Sequence, residues 1–161
     1  MKCFRTPICI CIILLPLGAG LLLLKLFVFS GSGTGLTYKE MADMRLHWIE
    51  RDLDTYYWLN KEYPPEHINS MDASESLSYA VSREFQGPER KEYFFAEEEG
   101  KRNGWAVTDS NGHLVFLGVS NQPIRYARKS ATSCMIWDVG PNGKDENGGG
   151  DDIVIRLEKK Q

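Results

Sequence analysis

Between Asp138 and Asp152 the chain reads Asp-Val-Gly-Pro-Asn-Gly-Lys-Asp-Glu-Asn-Gly-Gly-Gly-Asp-Asp, a run dense in oxygen ligands. Asp138, Asp145, Glu146, Asp151 and Asp152 supply carboxylates, and Asn142 and Asn147 stand beside them. Gly140, Gly143, Gly148, Gly149 and Gly150 let the backbone turn inward and present its carbonyls. Lys144 is the only basic residue in the stretch, so the carboxylates repel one another unless a cation balances them. Hard oxygen donors on a flexible loop suit calcium better than zinc or copper. The EF-hand pattern is not met, because Gly143 occupies the first of its acidic positions. Gly148 to Asp151 has the character of the glycine-aspartate β-helix repeat, but a single copy cannot stack. The residues alone leave two readings open, a calcium loop or a solvated polar turn.

Other residues capable of chemistry are scattered. The three histidines, His47, His67 and His113, have no partner at metal-ligand spacing, and no Gly-x-Ser-x-Gly elbow is present. His47 falls on the first expected helix and reads as a surface or core-edge residue. Gly31-Ser-Gly-Thr-Gly35 lacks the Lys of a phosphate loop and follows no strand, so it is a linker. Glu97-Glu98-Glu99 reads as a solvated charge run. Trp48, Tyr56, Tyr57 and Trp58 read as core rather than a ligand stack. Of the four cysteines, Cys3, Cys9 and Cys11 lie in or beside an apolar run, leaving Cys134 as a buried small hydrophobe. These features point away from an enzyme.

Net charge is −3, from 19 Lys+Arg against 22 Asp+Glu, and a near balance of that kind argues against a nucleic-acid partner. A length of 161 residues fits one anchor plus one small domain. Pro7 to Leu24 is uncharged, and apolar character resumes after Lys25, enough to cross a hydrocarbon core of about 30 Å. Lys2 and Arg5 precede the run, which places the N-terminus in the cytoplasm and the rest outside. A cleaved signal peptide is the competing reading. The expected organisation is a transmembrane anchor over 1–30, a linker over 31–36 and an extracytoplasmic domain over 37–161.

Several elements must position the loop. Thr37 and Glu40 have capping-box spacing and open a helix whose apolar stripe is Leu46, Ile49, Leu53, Tyr56 and Tyr57. Trp48 and Trp58 widen this stripe, and Arg45, Glu50, Arg51 and Asp54 fill the intervening face. Pro64-Pro65 sets a limit on the helix. A second helix is expected from Asp72 to about Phe85, capped by Asp72 with Glu75 three residues on. Strand character follows at Tyr93-Phe94-Phe95, with a turn over Gly100 to Gly104. Strands at 105–108 and 113–119 flank the hairpin signal Asn111-Gly112. Further strands fit 124–128, 134–139 and 153–157. One helix laid on one antiparallel sheet makes an α+β domain, the helix continuing the membrane segment.

The final loop, Val139-Gly-Pro-Asn-Gly143 followed by Gly148-Gly-Gly-Asp-Asp-Ile153, resembles the C-terminal calcium loop of type II secretion major pseudopilins. Leu53-Asp-Thr-Tyr56 and Glu62-Tyr63-Pro64 resemble the end of the pilin helix and the turn after it. Asp109 and Ser120-Asn-Gln-Pro-Ile-Arg-Tyr126 are similar to the family's segment before the last strands. The likeness covers about Leu46 to Ile153. It implies a pilin-like fold and calcium ligands at the Val139 carbonyl, the Asn142 side chain, Asp151 and Asp152. Asp145 joins this set on charge and proximity. Asn142 stands where the family has Asp. The family's Gly-Phe cleavage junction and early Glu are absent from Met1 to Cys9. The resemblance implies a single-pass protein of the inner membrane with a periplasmic domain. Its partners would be the membrane, copies of itself, other pseudopilins and secretion-platform proteins. The alternative is an anchored binding module that does not assemble.

Overall fold

A computed structural model of the chain describes residues 35–82 and 95–160. The expected anchor over 1–30, and its junction with the domain, lie outside the described residues. Among the described residues no helix is long and apolar enough to cross a membrane.

The capping box forms as its spacing requires. The Thr37 hydroxyl accepts the Glu40 N–H at 3.3 Å, and Glu40 accepts the Thr37 N–H at 2.7 Å. This reciprocal pair opens helix α1, Tyr38–Asn60. Ala42, Leu46, Ile49, Leu53 and Tyr56 form its buried stripe. Trp58 does not belong to that stripe: it is 68% exposed, because its position faces away from the sheet. Arg45 departs from expectation the other way, being half-buried and donating to the carbonyls of Leu117 and Gly118 at 3.0 and 2.6 Å. Lys61 ends the helix in the left-handed region, ahead of the prolines.

Helix α2, Ala73–Ala80, carries the second capping box, with Asp72 accepting from the Glu75 N–H at 2.9 Å. Leu77, Ala80 and Val81 are buried. The helix stops at Ala80 rather than near Phe85, which lies outside the described residues. Of the strand expected at 93–95, Tyr93 and Phe94 lie outside the described residues, and the turn expected over 100–104 is mostly helix α3, Ala96–Asn103. Acidic residues fill its first turn and basic residues its last, matching the helix dipole. Lys101 bonds Glu97 at 2.6 Å and Arg102 pairs with Glu99, the spacings of a helix surface. The buried Asp52 of α1 accepts the N–H groups of Phe95 and Ala96 at 2.9 and 2.7 Å, supplying in trans the cap that Phe95 cannot.

The strands make two antiparallel sheets, not one. β1 (Ala106–Thr108) pairs with β2 (Leu114–Phe116). β3 (Arg125–Ser130), β4 (Ser133–Asp138) and β5 (Ile153–Glu158) form the second sheet with β4 in the middle. α1 packs on β4 and β5, α2 on β2 and β3, and α3 on β1 and α1. One hydrophobic core joins them, built around Leu46, Ile49, Leu53, Leu77, Phe116, Ile124 and Ile136. The chain is thus α+β, with three helices and two small antiparallel sheets among the described residues. Cys134 is buried within this core, and burial pushes its thiol up to about 12, so it remains protonated.

Candidate metal centre

The β4–β5 ladder closes with Asp138 opposite Ile153, so the residues between them form one long loop on the sheet's end. Its neck is fixed by Asp138, which the sequence groups with the loop's carboxylates but which is buried and structural. Its oxygens accept the Tyr38 hydroxyl at 2.6 Å, the Val119 N–H at 2.7 Å and the Gly140 N–H at 3.0 Å. Tyr38 also donates within reach of the Gly140 carbonyl, at 2.9 Å, which ties the loop to the start of α1. Burial, and then the bond to Asp138, pushes the Tyr38 hydroxyl up to about 12.

Asp145 is engaged on both oxygens. One accepts the Trp137 indole N–H and the Asn147 N–H, each at 3.0 Å, and the other lies 3.0 Å from Arg125 Nε. The loop's charge is therefore balanced in part by Arg125, a strand residue distant in sequence. Gln122 donates to the Gly143 carbonyl at 2.8 Å and Arg156 to the Gly148 carbonyl at 3.2 Å. Tyr38, Gln122, Arg125, Trp137 and Arg156 thus brace the loop. Sequence reading missed all five in this role, since each reaches it only through the fold.

The structure brings Asn142, Asp151 and Asp152 together with Glu146. Asp151 accepts the Asn142 N–H at 3.1 Å and also takes a bond from the Asn142 side-chain amide. The Asn142 amide oxygen accepts the Lys144 N–H at 2.6 Å. Glu146 accepts the Asp151 N–H at 3.0 Å. Asp152 Oδ2 accepts from Glu146 and Gly148 at 3.1 and 2.8 Å. Its other oxygen, Oδ1, is shielded from solvent and has no hydrogen-bond partner. A desolvated anionic oxygen without a donor is costly, and a cation relieves that cost. The buried Val139 completes the neck, its carbonyl accepting no backbone hydrogen bond among the described residues. Among the described residues, no three of the loop's carboxylates bring ligand oxygens within 4.8 Å of one another.

A different cluster joins α2 to the β1–β2 turn. Glu75, Asp109 and His113 each place a ligand atom within 4.8 Å of the other two. None of the histidine spacings in the sequence signals it, because Glu75 lies on another element.

Compared with known proteins, the chain matches no family model, no curated protein and no solved structure.

Proposed function

We propose that the chain is a pseudopilin-like structural subunit of a type II secretion or type IV pilus-like assembly, with calcium stabilising its 138–152 loop. In this reading residues 1–30 anchor it in the inner membrane and the 37–161 domain is periplasmic. Its partners are copies of itself, other pseudopilins and secretion-platform proteins.

The observation that carries the reading is the unpartnered, shielded oxygen of Asp152 in a loop that also holds Asp151, Asn142 and Val139. These are the positions at which the resemblance implies ligands. The arrangement of α1 against β4 and β5, with the loop between the last two strands, agrees with a pilin-like domain. Calcium would be held by Asp151, Asp152, the Asn142 side chain and the Val139 carbonyl, and would supply charge neutralisation. Asp145 would contribute through its hold on Trp137 and Arg125. Because Asp138 and Tyr38 join this loop to α1, ordering the loop also orders the start of the helix. Metal binding then adds to folding stability rather than to chemistry.

The test is thermal unfolding of the full chain in detergent, with calcium and then with a chelator, beside Asp151→Ala/Asp152→Ala. Calcium is expected to raise Tm in the parent and not in the double variant. Equal melting curves in calcium and chelator sink the metal reading. Crosslinking in intact membranes addresses assembly: a ladder of homo-oligomers is expected, whereas a persistent monomer supports the anchored binding module.

A further inference from the structure

We propose that Glu75, Asp109 and His113 form a second metal site, which takes a zinc-class divalent cation and staples the β1–β2 turn to the first turn of α2. The three ligand atoms all lie within 4.8 Å of one another. His113 Nδ1 stands 3.5 Å from Glu75 Oε1. That separation is close to the edge of a tetrahedron whose ligands sit about 2.0–2.1 Å from a central zinc, an edge of roughly 3.4 Å.

One oxygen of each carboxylate is already committed. Glu75 Oε2 accepts the Asp72 N–H at 3.0 Å in the capping box, which leaves Oε1 facing His113. Asp109 Oδ1 accepts the N–H groups of Asn111 and His113 at 2.8 and 2.9 Å, which holds the side chain at the turn. Such bonds do for a carboxylate ligand what outer-shell partners do in metal sites generally: they fix its direction before the ion arrives.

A second, independent observation comes from the imidazole. His113 Nδ1 is shielded from solvent and makes no hydrogen bond. A ring nitrogen that faces two carboxylates without a hydrogen bond of its own can offer its lone pair to a cation held among all three groups. One nitrogen and two carboxylates form a borderline donor set that suits zinc, whereas calcium favours oxygen alone. The site is therefore chemically distinct from the 138–152 loop and does not depend on the reading given to that loop. Three protein ligands leave room for water to complete the shell. The function assigned is structural, since the ion would join α2 to the β1–β2 turn.

The experiment is titration of the untagged, metal-stripped full chain in detergent with Co²⁺, followed by Zn²⁺ displacement, with Tm recorded for the Zn²⁺ form. Expected are visible Co²⁺ absorption bands at one equivalent, their loss when Zn²⁺ is added, and a Tm rise of several degrees with Zn²⁺ in excess calcium. His113→Gln and Asp109→Asn should each weaken Zn²⁺ binding by more than about tenfold. Asp109→Asn keeps an oxygen for the turn's N–H groups, so it separates ligand loss from misfolding. Asp151→Ala/Asp152→Ala should leave the Co²⁺ bands unchanged. Absence of the bands in the parent chain overturns the proposal whatever the variants do. So does a Zn²⁺ response that survives His113→Gln, or a corner whose stability follows pH and ignores Zn²⁺, which would assign the proton rather than the metal to His113.

Discussion

Among the described residues, two turns join antiparallel strands and carry carboxylates, and they use them in opposite ways. In the long β4–β5 loop nearly every carboxylate is consumed by the loop's own backbone and its braces: Asp138, Asp145, Glu146 and Asp151 all accept from N–H groups or side chains. Only Asp152 Oδ1 is left over. In the short β1–β2 turn a single Asp109 oxygen serves two N–H groups and the rest of the turn asks for little. Glu75 reaches this turn from α2, its Oε1 facing His113. The cause is the length of backbone outside a ladder, since every unpaired N–H must find an acceptor. A dense acidic run in sequence is thus no measure of how many carboxylates are free to bind a metal.

The largest contrast is expected between Asp138→Ala and Asp109→Ala. The first strips a buried acceptor from Tyr38, Val119 and Gly140, and should cost about 3 kcal/mol in urea unfolding. The second acts at a more accessible turn and should cost much less. Equal costs would break the distinction between a loop held by its carboxylates and a turn that spares them.

A smaller difference should separate two glycines, both in the left-handed region. A Cβ on Gly140, at φ 72°, would lie 2.5 Å from the Asp151 carbonyl oxygen, so the neck must open to admit it. On Gly112, at φ 86°, a Cβ meets nothing within 4 Å. Gly140→Ala should cost about 2–3 kcal/mol and Gly112→Ala about 1 kcal/mol, the latter from backbone conformation alone. If Gly112→Ala proves the costlier, the tight neck is not what holds the long loop.

The smallest effect concerns pH. Tyr38 has its hydroxyl pushed up to about 12 in the folded chain against an ordinary 10.0. A raised folded value means that its contribution is fully present below pH about 10 and is lost as pH rises from there through about 12. Tyr38→Phe should therefore show a shallower fall in stability over that window, measured by denaturant midpoints from pH 9 to 12. An unchanged slope would detach Tyr38 from Asp138 and leave the loop unlinked to α1.

Much of the fold was legible locally. Both capping boxes, the stripe of Leu46, Ile49 and Leu53, and the hairpin signal at Asn111-Gly112 correspond to elements that form where they were expected. Local patterns carry this information because caps, periodicity and tight turns involve residues a few positions apart. α3 was misread: Gly100 suggested a turn, while the deciding acceptor, Asp52, lies on α1. Trp58 was misplaced for a related reason, since an aromatic at the margin of a stripe can face either the sheet or solvent. The candidate loop was visible as composition, but its braces were not. Arg125, Gln122 and Tyr38 carry no local mark of their role.

By itself, then, the sequence determined most of the elements, the two capping boxes, the α+β class and the oxygen-rich loop. Tertiary structure alone decided which carboxylates that loop would spend on its own N–H groups, and that Glu75 would meet Asp109 and His113. The physical reason is that a hydrogen bond or a metal ligand is a relation of a few ångströms in space. For groups on separate elements that distance is set by packing, to which the spacing of residues along the chain is blind.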